Sequence, residues 1–359
     1  MEITPIITLR RALHTCPEIS GQEQKTKALL QQFLRQHTGL ELHACGDGFY
    51  AALRSPHPIQ GGIALRADYD ALAMPDGTAR HLCGHDGHAA ALCGVALAAS
   101  EQTWNRDIFF LFQPAEETGA GAAGCTALLD REAVAEIYGA HNLPGLPLGL
   151  VTTRPGTFAC ASRGLTLRFR GRATHAAYPE NGISPAGAVG ALLCQLPELA
   201  APARYAGMTL CTVICVQMGE KAFGAAASQG EVWLTLRAEH DRDLAALESA
   251  VLELARRLSR KDGLEFSHAV QDIFPATEND PACAEKVLTT CQGQLLDVPM
   301  RWSEDFGRYL QRCPGAFFGI GAGEMHPPLH TEQYVYPDSL LEPTIQAFLS
   351  LLRIDACVP

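Results

Sequence analysis

The densest concentration of reactive side chains is HLCGHDGH at residues 81–88, where His81, Cys83, His85, Asp86 and His88 crowd the start of an apolar, helix-like run. Thiolate, imidazole and carboxylate are the ligands that a borderline divalent cation takes. A cysteine just before a helix N-terminus has its thiolate favoured by the unpaired N–H groups there. Cys83 and His85, two apart on an extended segment, would point to the same side and share one centre. The competing reading is a solvated loop with Asp86 as helix cap. His81 and His88 fit a place behind the ligands better than a place among them. A second cluster, FLFQPAEETG at 110–119, ends an apolar run on the adjacent carboxylates Glu116 and Glu117. One of such a pair can hold a metal while its neighbour, aimed differently, serves water as general base; a surface Glu pair is the plain alternative. GAHNLP at 139–144 sets His141 at the end of a third apolar run, and HPPLHTE at 326–332 offers His326 and His330 on a proline-pinned segment. Alone, His141 would more often be structural than a ligand, whereas either histidine of the proline-pinned segment could reach a cleft. Together the four clusters suggest a composite site for one or two divalent ions. HExxH, Walker A, GxSxG and paired CxxC motifs are absent, which removes the common zincin, nucleotide and serine-hydrolase readings.

These clusters need a scaffold that brings strand ends together. Residues 3–14 and 22–37 are amphipathic, the second with Leu29, Leu30, Phe33 and Leu34 at helical spacing. Short apolar runs at 62–67, 108–112 and 137–140 each end in polar residues, with helix-like segments at 89–100 and 126–135 between them. Such alternation predicts a mostly parallel sheet with functional groups at the carboxyl ends of its strands. From Ala161 the texture changes. LTLRFR at 165–170 alternates as a strand with one solvated face. A helix at 185–196, strands at 208–216 and 231–238, a helix at 243–258 and a strand at 264–270 complete a β-α-β-β-α-β order. A strand at 317–321 and a helix at 340–352 return to the first domain. The expected division is a catalytic domain of residues 1–160 and 275–359 with an inserted domain of 161–274.

A chain of 359 residues exceeds a single core, in keeping with two domains. Apolar residues at 47% and charged residues at 19% are those of a globular chain. The balance of 28 basic against 39 acidic residues, without a basic run, excludes a nucleic-acid partner. The longest apolar stretches, such as 89–99, are too short to span a bilayer, so no membrane role is expected. The opening MEITPIITLRRALHTCPE lacks the pattern of a secretory leader. Thirteen cysteines at scattered spacings, including Cys93, Cys194, Cys211 and Cys215 in apolar surroundings, read as buried free thiols in a reducing cytoplasm.

At these residues the chain resembles peptidase family M20, and within it the amidohydrolase branch of hippurate hydrolases, indole-acetyl-amino-acid hydrolases and N-acyl-amino-acid deacylases. The matching stretches run almost end to end: HTCPEIS at 14–20, RADYDAL at 66–72, HLCGHDGHAA at 81–90, QPAEETGAG at 113–121, HNLPGLPLG at 141–149, RGRATHAAYPENGISPA at 170–186 and SEDFGRY at 303–309. The resemblance implies an α/β, zinc-exopeptidase-like catalytic domain with a mostly parallel sheet, and an inserted α+β domain for lid and dimerisation. It implies two divalent ions per subunit, Zn²⁺ or Mn²⁺ with Co²⁺ or Ni²⁺ also possible, held by Cys83, His85, Glu117, His141 and His330. Cys83 takes the bridging place that an aspartate holds in other branches. His330 is preferred to His326 on the pattern His-Thr-x-x-Tyr before the last helix. Glu116 becomes the general base, and His175 crosses from the partner subunit of a homodimer to polarise the scissile carbonyl. Asn181 and Arg237 fall among substrate-binding positions. Asp68, Asp86 and Asp305 orient histidines or shape the cleft. The implied activity is hydrolysis of the amide in an N-acyl amino acid or a similar small, dipeptide-like substrate.

The chain departs from the family pattern at three points. Ala71-Leu72-Ala73-Met74 precedes Pro75 where the family turns through Ala-Leu-Pro. The stretch from there to His81 is short, which trims one wall of the substrate pocket. GAAA at 224–227 replaces an Asn-x-Ile-Pro element, although Arg237 remains; if that element holds a substrate carboxylate, its loss alters specificity. A dipeptidase or peptidoglycan-fragment peptidase is the nearest alternative. A non-catalytic ligand-binding protein would not need Glu116, and a metal-free Cys83 nucleophile with His85 as base is the remaining one. For the dimer, the sheet edge expected at 165–170 could pair across a two-fold axis or be covered within one chain.

Overall fold

IFFLFQ at Ile108–Gln113 is almost wholly apolar, and such a strand needs neighbours on both edges and cover on both faces. The computed structural model describes residues 2–58 and 61–353, and in it this strand has both. Ile108–Gln113 runs antiparallel to Gly48–Leu53 and parallel to Gly62–Asp68. Gly62–Asp68 is parallel to Val134–Pro144, which is parallel to Gly315–Gly323. These strands form the centre of an eight-stranded mixed sheet, flanked by Glu41–Cys45 on one side and by Val151–Thr153 and Gln294–Leu295 on the other. The four central parallel strands discharge their carboxyl ends together, as the alternation of elements predicted.

Helix His85–Ser100 is buried nearly all round, which suits the Ala-rich, apolar surface beyond its first turn. It packs on the sheet and against helices Thr4–His14 and Leu341–Leu352. Residues 126–135 are not the single helix expected. A short helix Ala127–Arg131 ends, Ala133 turns through the left-handed region at φ 47°, and Val134 opens a strand. Helical spacing over 127–129 was too brief to outweigh that reversal.

Two compact units emerge: Met1–Phe158, Thr277–Pro299 and Glu304–Pro359 form one, and Ala159–Ala276 with Met300–Ser303 the other. Met300–Ser303 joins the second unit through backbone, since the Cys160 N–H donates to the carbonyls of Met300 (3.0 Å) and Trp302 (3.1 Å). The second unit has the β-α-β-β-α-β order. Its four-stranded antiparallel sheet runs Thr209–Met218, Gln229–Ala238, Ala161–Arg170, Glu265–Phe274. Leu165, Leu167, Val232, Leu234 and Leu236 form a core with Val189, Leu192, Leu247 and Val251 of helices Ala186–Leu199 and Asp241–Asp262. Of the two readings of 165–170, cover within one chain is the one seen, since Ala161–Arg170 is paired on both sides. The free edges are Glu265–Phe274 and Thr209–Met218, and the latter exposes Val213, Ile214, Val216 and Met218.

The cysteine expectation also divides. Cys93 is buried, Cys211 and Cys215 are half-buried, and Cys194, on a helix face away from the core, is exposed. The twelve described cysteines are all free thiols. Among the described residues, no helix is long and apolar enough to cross a membrane.

Candidate metal centre

The carboxyl ends of the central strands converge with the start of one helix. Asp68 ends its strand, Gln113 ends the next, and the chain then turns at Ala115 (φ 53°) to present Glu116 and Glu117. His141 lies in Val134–Pro144, and His85 opens helix His85–Ser100. Cys83 and His85 do not share an extended segment as expected. Gly84 caps the helix in the left-handed conformation at φ 99°, and this turn is what brings their side chains to one place. A Cβ at Gly84 would lie 2.4 Å from the Asn142 side-chain oxygen and 2.7 Å from the Tyr334 hydroxyl, so the position demands glycine on both grounds. His81 through His88 are all buried, which excludes the solvated-loop reading.

Cys83 Sγ lies 3.3 Å from His141 Nε2 and 3.3 Å from His330 Nε2. His85 Nε2 lies 3.8 Å from Glu117 Oε1 and 3.9 Å from Glu116 Oε2, and His330 Nε2 lies 3.8 Å from Glu117 Oε1. Ligand atoms of Cys83, His85 and His141 fall within 4.8 Å of one another, as do those of Cys83, Glu117 and His330, so Cys83 belongs to both groups. His85 Nε2 and Glu117 Oε1 are buried without a hydrogen-bond partner among the described residues. Buried polar atoms are rarely left so. Two orphaned donor atoms aimed into a set of sulfur, nitrogen and oxygen ligands fit a divalent cation.

His326 is not part of this cluster: its Nε2 meets the Val335 carbonyl at 2.9 Å. Asp86 is also elsewhere, paired with His14 (2.8 Å) and Arg10 (3.5 Å). Asp68 lies beneath the cluster, bonded to His88 Nδ1 at 2.7 Å and to Arg66 at 2.7 Å. His175, Asn181 and Arg237 lie in the second unit. His175 sits in a short two-stranded antiparallel pairing of Thr174–His175 with Ala225–Ala226, the latter in the GAAA stretch. Asn181 closes an exposed turn, its carbonyl accepting from Arg172 Nε. Arg237 donates to Ser303 Oγ at 2.8 Å and to the Arg301 carbonyl at 3.2 Å, and has no carboxylate partner among the described residues.

Sequence reasoning missed Asp70 and Glu304. Asp70 Oδ1 lies 2.9 Å from His85 Nδ1, which orients that ring and leaves Nε2 for the cluster. The signal was the alternation of Asp68 and Asp70, which share a side at a strand end. Glu304 lies within 4.8 Å of Asp68 and Glu116 and 3.0 Å from Arg66. Arg66 also reaches Gln113 at 2.9 Å and Asp305 at 2.9 Å, with Asp305 accepting from Gln113 and from the Ala122 N–H. An arginine inside the apolar strand 62–68 was the signal for these buried acids.

Burial and crowding of acids govern protonation here. Burial, then Glu117, pushes the Cys83 thiol well up. Burial pushes Glu117 up to about 7, and burial with Glu304 and Glu117 pushes Glu116 well up. Burial, opposed by Arg66, leaves Glu304 raised to about 8. Burial alone would lower His85, but Asp68 and Cys83 outweigh it and raise it strongly. Burial holds His141 and His330 down, hence neutral and able to ligate. A buried thiol pushed upward is a poor free nucleophile, which argues against metal-free cysteine catalysis. A bound cation reverses the balance by replacing protons.

A family model described as peptidase family M20/M25/M40 matches residues 64–354. The chain is 28% identical to an N-acetyldiaminopimelate deacetylase of Exiguobacterium sibiricum, covering 90% of this chain and 92% of that protein. It is 26% identical to an N-acetylcysteine deacetylase of Bacillus subtilis, covering 91% of this chain and 92% of that protein. Among solved structures, a dinuclear metal-binding M20 peptidase of Bacillus subtilis superposes with a TM-score of 0.82 at 24% identity, over 98% of this chain and 97% of that one.

Proposed function

The chain belongs to peptidase family M20/M25/M40, hydrolases of C–N amide bonds, and from that premise we propose that it releases an amino acid or related amine from an N-acyl derivative, with two divalent cations in the cluster around Cys83. The observation that carries this reading is the pair of orphaned buried atoms, His85 Nε2 and Glu117 Oε1, facing Cys83, His141 and His330. Cys83, with His141 Nε2 and His330 Nε2 each 3.3 Å from its sulfur, would hold the ions together with His85, His141, Glu117 and His330. When bound, such a pair supplies an acidified water and Lewis-acid polarisation of the amide carbonyl.

The chain's own residues divide the remaining work. Glu116 Oε1 accepts from the Asp305 N–H at 3.4 Å, so Oε2, on the His85 side, is the free oxygen. At Oε2 Glu116 takes the proton of the attacking water and returns one to the leaving nitrogen. His175 of a second copy supplies a donor to the developing oxyanion. Arg237, with no carboxylate partner among the described residues, and Asn181 bind the polar end of the substrate. The homodimer is supported by the exposed apolar edge strand Thr209–Met218, a surface that unpaired would invite association. Free thiols throughout the described cysteines suit a reducing cytoplasm.

The test combines metal analysis of fresh protein with a screen of N-acetyl amino acids, including N-acetylcysteine and N-acetyldiaminopimelate, and dipeptides. The expected result is amine release that chelation abolishes and Zn²⁺, Mn²⁺ or Co²⁺ restores. Activity indifferent to chelation but lost on thiol alkylation would overturn it. Mixing His175→Ala with Glu116→Ala protein should restore part of the activity; no recovery despite subunit exchange would remove His175 from its role.

A further inference from the structure

The ligand-bearing segments are joined behind the cluster by one buried chain of hydrogen bonds. His88, in the same helix as His85, sets Nδ1 2.7 Å from Asp68 Oδ1 and Nε2 2.5 Å from Asn142 Oδ1. The Asn142 side-chain amide then donates to the Tyr334 hydroxyl at 2.6 Å. Asp68, His88, Asn142 and Tyr334 are all buried. Each member stands beside a different part of the cluster. Asp68 lies 3.8 Å from His85 Nε2, and Asn142 follows His141 directly. Tyr334 ends the turn that begins at Thr331, the residue after His330, its N–H donating to the Thr331 carbonyl at 3.0 Å.

Two left-handed backbone positions meet at the far end of this chain. Gly84, at φ 99°, packs its α-carbon under the Asn142 amide and the Tyr334 hydroxyl. His330 is held at φ 62°, a conformation that a residue with a β-carbon adopts only when its surroundings impose it. Its N–H donates to the Leu82 carbonyl at 2.8 Å, one residue before Cys83. The hydroxyl of Tyr334 therefore touches the turn between Cys83 and His85 while its backbone closes the loop of His330.

We propose that Asp68, His88, Asn142 and Tyr334 form a clamp that fixes the mutual placement of Cys83, His85, His141 and His330, with Tyr334 as a positioning residue that ligates nothing. The clamp makes the cluster a preorganised cation site, because the loops that carry its ligands cannot drift apart without breaking a buried hydrogen bond. It rests on the assignment of the cluster as a metal centre.

Tyr334→Phe removes only the hydroxyl, and Tyr336→Phe is its control. Tyr336 is equally buried, but its hydroxyl meets Thr344 at 3.1 Å, away from the cluster. Co²⁺ affinity is measured on metal-free protein by competition with a chelator, together with the visible spectrum of the Co²⁺-loaded form. Tyr334→Phe should bind Co²⁺ about 10–100-fold more weakly, with an altered spectrum, and Tyr336→Phe should bind as the parent does. His88→Gln, which cuts the chain one link nearer Asp68, should weaken binding to a similar degree. Parental affinity and spectrum in Tyr334→Phe would overturn the clamp, as would equal weakening in both tyrosine variants, which is general destabilisation. A parent chain that takes up no Co²⁺ would instead sink the metal-centre assignment itself, before any substitution is made.

Discussion

Two buried polar regions lie side by side under the same strand ends, and they are built on opposite terms. Around Arg66, the polar groups are hydrogen-bonded to one another: the guanidinium reaches Asp68, Glu304, Asp305 and Gln113, and Tyr309 donates to Gln113 at 2.8 Å. Around Cys83, ligand atoms crowd together while His85 Nε2 and Glu117 Oε1 find no partner. A satisfied network holds backbone in place; an unsatisfied one holds a place for something else. Glu116 stands at the boundary, one oxygen tied to the Asp305 N–H and the other on the side of the cluster. That position suits a group that must be held still and still move a proton.

The sharpest way to test this contrast is at the boundary itself. Glu116→Gln should lower amide hydrolysis by about 10²–10⁴-fold while metal content by elemental analysis stays at the parent's level; loss of metal would move Glu116 into the ligand set. On the satisfied side, Arg66→Met leaves Glu304, Asp305 and Asp68 without their counter-charge. It should cost about 3–5 kcal/mol in denaturant unfolding, and a stability near the parent's would show that the network is not structural. On the unsatisfied side, Glu117→Gln should behave in reverse. Metal affinity should fall steeply, while the melting temperature of the chelated protein is unchanged or raised, because one member of an acid crowd has lost its charge.

A smaller effect separates the regions by pH. Glu117, raised from the usual 4.5 to about 7, favours the protonated folded state, so in metal-free protein its contribution to stability is full below pH 4.5 and lost as pH rises through about 7. Cation binding needs the ionised form, so the gain in melting temperature on adding metal should grow between about pH 5 and pH 8. A gain independent of pH would take Glu117 out of the ligand set. The smallest effect is expected at His326, whose ring is engaged with the Val335 carbonyl. His326→Ala should leave metal stoichiometry unchanged, whereas His330→Ala should reduce it.

Much of the scaffold was legible because its signals are local. Apolar runs ending in Asp68, Gln113 and the segment of His141 announced parallel strands with chemistry at their ends, and alternation from Leu165 announced a different sheet. The misreadings share one cause. Cys83 and His85 meet through a left-handed glycine rather than along a strand, and residues 126–135 break at Ala133. Each depends on what the chain meets after it turns, which periodicity does not encode. Asp70 and Glu304 escaped notice because a carboxylate gains a role only from its partner, here His85 and Arg66, far away along the chain.

By itself the sequence determined the kinds of ligand atom, their order along the chain and the alternation of elements that would carry them, since these follow from residue type and short-range spacing. Tertiary structure alone decided which acids gather around Arg66 and which ligand atoms of the cluster are left over. Those outcomes turn on distances of a few ångströms between residues remote in sequence, where burial makes each unpaired atom costly and each pairing specific.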